Sequence, residues 1–265
     1  MSNDDKDHHN GLEQDLKVLA RLTGRRQILR WMAGASMVPL LGCGIGTDDP
    51  GDGNSACSKI PEETAGPFPG DGSNGANALI LAGIIRGDIR SSIAGGSGVA
   101  AGVPLKVILT LVNSKNDCSP LAGHAIYLWH CDREGRYSMY SAGVTSENYL
   151  RGVQETDSNG QVTFTTIFPG CYPGRWPHMH FEIYPSLGVA TASNQKIATS
   201  QLAFPEASCT EAYAASGYST SVNNLKQLTL ARDGVFSDGY ASQLASVTGN
   251  ATDGYIATLT VGIAR

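Results

Sequence analysis

Short segments rich in β-branched and apolar residues, each closed by Gly, Pro, Asn or Asp, recur from residue 79 to the end of the chain. No other feature constrains the fold as much. Residues 105–112 end at Asn113-Ser114, and residues 124–129 follow a Pro-Leu-Ala-Gly turn. Residues 161–168 follow Asp157-Ser-Asn-Gly160 and alternate with period two; residues 179–184 alternate as well, and residues 255–263 follow Asp253-Gly254. Strands of this length and spacing predict an all-β fold, an antiparallel or mixed β-sandwich with few helices. The best helical patch is 207–216. The 32 glycines and 12 prolines suit turns and exclude a coiled coil or helical bundle. Charged residues make up only 16%, with Lys+Arg 19 against Asp+Glu 24, which excludes the basic surface that nucleic acids require. No apolar run of 18 residues is free of charges, so nothing reads as a permanent membrane span.

The first 42 residues read as an address. Arg25-Arg26 precede an apolar stretch from Trp31 to Gly42, broken only by small residues and Pro39. This is the layout of a bacterial export signal, and the arginine pair indicates the twin-arginine route. Leu40-Leu41-Gly42-Cys43 resembles a lipoprotein cleavage box, so residues 1–42 would be removed and Cys43 would carry lipid. A short amphipathic helix would explain the apolar core but neither the arginines nor the Gly-Cys ending. The polar, Gly/Asp-rich residues 43–58 form a tether, and residues 59–265 form the folded domain. The expected location is the periplasm or the cell surface, where disulfides persist. With Cys43 lipidated, Cys57, Cys118, Cys131, Cys171 and Cys209 remain; five is odd, so at least one stays a thiol, and the pairing stays open.

The chemistry concentrates in Pro169-Gly-Cys-Tyr172-Pro-Gly-Arg175-Trp-Pro-His178-Met-His180-Phe181. Alternate residues of a strand share a face, so His178 and His180 present two imidazoles side by side. Two histidines could also alternate on a wet face with no ligand. Here Tyr172 stands six residues before His178 behind a Pro/Gly turn that could return its phenol to the imidazoles, and Tyr137 offers a second phenol. Two imidazoles with two phenolates suit a hard, highly charged ferric ion, whose charge would offset the ordinary phenol pKa of about 10.

These segments resemble the intradiol ring-cleavage dioxygenases, the catechol and protocatechuate class. Tyr137 follows Trp129 by eight positions. Asp157 and Gly160 then frame a turn, Thr166-Ile-Phe-Pro-Gly-Cys-Tyr172-Pro follows a strand, Arg175 stands three before His178, and His178-Met-His180-Phe completes the pattern. Thr64-Ala-Gly66-Pro67 is similar to the family's entry segment, and residues 199–204, with Gln201, to a downstream strand. The resemblance implies a prealbumin-like β-sandwich holding one Fe(III) per chain on Tyr137, Tyr172, His178 and His180. It also implies a catechol-type diol and O2 as substrates, opened to a muconate-type dicarboxylate. Tyr172 would accept the substrate's proton, Arg175 would stabilise charge developing on the ring, and Gln201 would add a hydrogen bond. Trp129 is expected to pack beneath the site, and His124 and His130 to be ordinary strand histidines.

Cys171, where the family usually has Pro, leaves substrate preference open, as does a short 172–178 loop. The chain also shows no N-terminal helical dimerisation segment, so a homodimer stays open. The membrane is expected only through lipid on Cys43. Two other readings compete. A turn-strand-turn unit over 156–172 resembles non-catalytic, prealbumin-like adhesive sandwiches, which could bind carbohydrate. Alternatively, Cys171, His178 and His180 could hold zinc for hydrolysis.

Overall fold

A computed structural model describes residues 58–265. The expected signal, the lipid-bearing Cys43, Cys57 and all of the tether but Ser58 lie outside the described residues. Nine strands and two short helices follow in order: β1 (Pro104–Asn113), β2 (Ser119–Pro120), β3 (Ala125–Trp129), β4 (Arg151–Glu155), β5 (Gln161–Ile167), β6 (His178–Tyr184), β7 (Ala198–Ala203), α1 (Glu206–Ala212), α2 (Ser219–Leu225), β8 (Ser246–Asn250) and β9 (Gly254–Ile263). They form two sheets. One has the order β2-β1-β9-β8, with β5 also paired to β1; the other is β4-β3-β6-β7. The first is mixed, because β1 runs parallel to β9 and antiparallel to β5, while every pair of the second is antiparallel. The expected β-sandwich is therefore observed.

Alternation builds the first sheet. Val107, Leu109 and Leu111 of β1 are fully buried, while Pro104 and Lys106 face out. Val107 lies opposite Phe164 of β5 and Leu109 opposite Leu259 of β9, so one face of three strands is apolar. Met179, Phe181 and Ile183 of β6, with Ile126 and Leu128 of β3, point at that face from the second sheet and complete one core. Burying each such side chain contributes about 1.5–3 kcal/mol.

The second sheet is buried on its outer side too. There Tyr127, Trp129 and Tyr184 pack under Ala78, Leu79 and Ile84 of the preceding segment. A wet outer face for the β6 histidines is thereby overturned: His178 and His180 are each 2% exposed. The expected helix at 207–216 is observed as the shorter α1, which ends at Ala212; Gly217, at φ +93°, lies beyond its end. The residues after α1 reach the Tyr172 loop, where Ser221 Oγ of α2 accepts from the Cys171 backbone N–H and Asn224 of α2 donates to the Cys171 carbonyl.

Candidate metal centre

His178 and His180 stand two apart on β6, so both rings leave the sheet on the same side. The 130–150 connection after β3 brings Tyr137 to them, and the connection before β6 brings Tyr172. Tyr137 Oη lies 3.2 Å from His180 Nε2, Tyr172 Oη lies 3.2 Å from His178 Nε2, and the two Nε2 atoms are 3.1 Å apart. The ring centroids of the two tyrosines are 5.9 Å apart. All four side chains singled out in the sequence thus converge.

Local bonds explain how each arrives. Asp132 folds the Tyr137 loop: its Oδ1 accepts from the N–H of Glu134 and of Arg136, and its Oδ2 from Arg136 Nε and Tyr149 Oη. The Tyr172 loop crosses directly beneath, with Gly170 N–H donating to the Asp132 carbonyl at 3.1 Å. A Cβ on Gly170 would sit 2.6 Å from that carbonyl oxygen and 2.7 Å from that of Arg133, closer than two loops with side chains can pass. The Trp176 carbonyl can only accept, which places the His178 proton on Nδ1 and leaves its Nε2 lone pair facing the cluster. Trp129 stacks on His180 at 5.0 Å and 5°, and Tyr127 on Trp129 at 4.9 Å, so Trp129 packs beneath the ring as expected.

The electrostatics call for a cation. Burial holds the Tyr137 phenol well above its ordinary pKa, and Tyr172 pushes it further in the same direction. Burial pushes both imidazoles well below theirs, with Arg175 adding to it at His178, and His178 and then Arg175 at His180. The protein alone therefore assembles neutral groups, with two ring nitrogens meeting at 3.1 Å, where at most one can offer a proton to the other. A hard trivalent cation would accept every lone pair and favour the phenolates that burial disfavours. This donor set fits Fe(III).

Arg175 and Gln201 are brought to the same place. Gln201 lies opposite His180 in the β6–β7 ladder. Its Oε1 accepts from Arg175 Nη2 at 2.6 Å, and its Nε2 donates to the Thr64 carbonyl. Phe68, just past the Thr64-Ala-Gly-Pro segment, lies 5.2 Å from the Tyr137 ring, and Phe236 lies 6.5 Å from His178. His124 Nδ1 meets the Ala122 carbonyl, and His130 is buried between Thr166 Oγ1 and the Cys131 carbonyl.

The zinc reading is not supported. Cys171 turns its thiol to the Arg175 carbonyl at 3.6 Å, and no group of three or more His, Cys, Asp or Glu among the described residues is placed to hold a metal. Sequence reasoning missed Asp233, which pairs with Arg175 at 3.0 Å, and Arg151, whose guanidinium binds the Phe68 and Pro69 carbonyls. Asp233 stands 58 positions from its partner and Arg151 stands 82 or more from its own, so no local spacing could reveal either.

A family model described as Dioxygenase matches residues 92–210, a span that includes Tyr137, Tyr172, Arg175, His178, His180 and Gln201. Among solved structures, the chain is similar to an intradiol ring-cleavage dioxygenase from Tetranychus urticae, at 28% identity over 78% of this chain and 95% of that one, with a TM-score of 0.59. It is similar also to the dioxygenase Tetur07g02040, at 27% identity over the same shares, with a TM-score of 0.61. No curated protein matches the chain. Family model and solved structures thus bear out the resemblance of this chain to the intradiol ring-cleavage dioxygenases that the sequence motifs indicated.

Proposed function

We propose that this chain is an Fe(III)-dependent dioxygenase that opens a catechol-type ring between its two hydroxyl-bearing carbons, giving a muconate-type dicarboxylate with one atom of O2 in each new carboxyl group. One observation carries the reading: two phenol oxygens and two imidazole nitrogens meet within 3.1–3.2 Å in a buried site beside a guanidinium. Tyr137, Tyr172, His178 and His180 would hold the iron. When bound, iron would draw electron density from a coordinated catechol and open a ring carbon to O2.

The chain's own residues divide the remaining work. Tyr172 is the more exposed phenol; as the phenolate that bound iron would favour, its Oη would accept a proton from a catechol hydroxyl and become a neutral phenol as the substrate enters. Arg175 is 2% exposed and always charged, so its field acts undiluted by water on negative charge building in the ring. Gln201 holds Nη2 of that guanidinium, and Trp129 fixes the plane of His180. Phe68 and Phe236 flank the cluster with apolar rings.

Metal analysis with a visible spectrum tests this reading. The purified protein should contain one iron per chain and be reddish from phenolate-to-iron charge transfer. The colour should shift when catechol is added without oxygen. Oxygen uptake should follow with catechol, protocatechuate or hydroxyquinol. Tyr137→Phe and His180→Ala should each abolish the colour, and a coloured, active double variant would falsify the assignment.

We propose also that the chain is exported and anchored through lipid on Cys43. A disulfide at Cys118 supports an oxidising location. Mass spectrometry of the mature N-terminus checks this; an intact Met1 in exported protein would exclude it.

A further inference from the structure

The carboxylate of Asp233 is buried at 1% exposure and receives four N–H donors. On Oδ1 it takes the backbone N–H of Val235 at 2.8 Å and of Phe236 at 3.3 Å, which close its own turn. Turn formation needs nothing more. Yet Oδ2 reaches out of the turn, to Arg175 Nε at 3.0 Å and to the Trp176 N–H at 2.7 Å, both in the loop that joins Tyr172 to His178. Gln201 takes Nη2 of the same guanidinium at 2.6 Å. Two fixed acceptors, from β7 and from the 233–236 turn, therefore hold one edge of Arg175. Their hold removes the rotational freedom that a long side chain otherwise keeps until it meets substrate. The charge so held bears on Tyr137, His178 and His180 alike. Buried ion pairs are costly to assemble, and this one brings no advantage to the turn that carries it.

We propose that Asp233 is a positioning residue of the site: it aims Arg175 at the substrate ring and couples that aim to the turn that carries Phe236. This rests on the dioxygenase reading above. Asp233 touches no ligand residue of the iron; it acts through Arg175. Its loss should therefore slow turnover while sparing iron binding and the binding of the unreacted diol.

The test is a double-variant cycle in the full-length, iron-loaded protein, with Arg175→Gln, Asp233→Asn and both together. Asp233→Asn should lower kcat about 10²-fold. Iron should stay at one per chain, the anaerobic colour shift with catechol should be retained, and KM should change by less than about threefold, because the lost interaction is made mainly in the transition state. The double variant should be no slower than Arg175→Gln alone, because Asp233 has nothing left to aim. Multiplying losses, an unchanged kcat for Asp233→Asn, or iron and colour lost together with turnover would overturn the proposal. Should Asp233→Asn fail to fold, Asp233→Glu carries the same cycle. It keeps the charge but moves the anchor by one methylene, and an expected loss of about tenfold should again be absent beside Arg175→Gln. A wild-type protein that takes up no oxygen with any catechol would remove the dioxygenase reading itself. An active wild type with multiplying losses would remove only the role of Asp233.

Discussion

Arg151 carries a full charge into the interior, 1% exposed, with no carboxylate in salt-bridge range among the described residues. Its five N–H donors each find an acceptor: Ser138 Oγ, the Ser138, Phe68 and Pro69 carbonyls, and Tyr127 Oη. The residue thereby pins Phe68 against Tyr137. Arg151→Met should cost about 2–5 kcal/mol in urea unfolding, since it strands the Ser138 carbonyl and the half-buried Phe68 carbonyl, while Pro69 keeps the Tyr127 hydroxyl as donor. Arg151→Lys should recover little of that, because an ammonium has only three donors and no planar fork. His130 makes a different prediction. Burial holds its imidazole down to about 4; the Cys131 carbonyl opposes this and the Arg151 charge adds to it. Unfolded, it would titrate near 6.5. Between these values the unfolded chain binds the extra proton, so stability is complete above about pH 6.5 and declines towards pH 4, by roughly 3 kcal/mol from this group. A His130→Gln variant should show a flatter stability profile over that window in thermal melts. Tyr172, His178 and His180 were legible at this scale because they stand within nine residues, whereas Tyr137, 35 positions earlier, was singled out by its place eight after Trp129 in the resembled pattern. The partners of Arg175 and Arg151 were not, because a buried charge is met by whatever the fold brings near it.

Among elements, β6 shows why a strand pattern can mislead. His-Met-His-Phe-Glu-Ile-Tyr alternates as a strand with one wet face would, yet all seven residues are buried. The residues before β1 supply the cover: Leu79-Ile-Leu-Ala-Gly-Ile-Ile85 carries the apolar signal of a strand, yet it folds as turns and isolated bridges laid over the sheet. β1, β5 and β9 were readable because their outer faces do meet solvent. β4 (RGVQE) and β8 (SVTGN) hold too few apolar residues to register as strands and exist because a neighbouring edge offers hydrogen bonds. The two tyrosine loops meet at Gly170. Gly170→Ala should therefore force them apart and cost several-fold to tenfold or more in iron affinity, with the stability loss of an overpacked site, about 1–3 kcal/mol. Iron affinity unchanged in competition with a chelator would show that the loops do not depend on this contact.

For the whole molecule, cysteine chemistry gives a compact test. Cys118 is disulfide-bonded, while Cys131, Cys171 and Cys209 are buried thiols. Burial raises all three, Cys171 to about 12, so none should react with a thiol reagent at neutral pH until the domain unfolds. Reduction of the Cys118 bond should lower unfolding stability by about 2–4 kcal/mol and leave the iron site in place. Rapid thiol labelling of the folded protein would mean that this core opens readily. Strand periodicity, turn residues and the Tyr172-His178-His180 spacing are local properties, each satisfied within a dozen residues, and with the resemblance that adds Tyr137 the amino-acid sequence by itself determined the sandwich and its candidate ligands. The cover that dries the second sheet, the crossing at Gly170 and the acceptors around Arg175 and Arg151 depend on which distant segments pack together. Only the tertiary structure decided these, because burial and the pairing of buried charge are properties of the assembled chain.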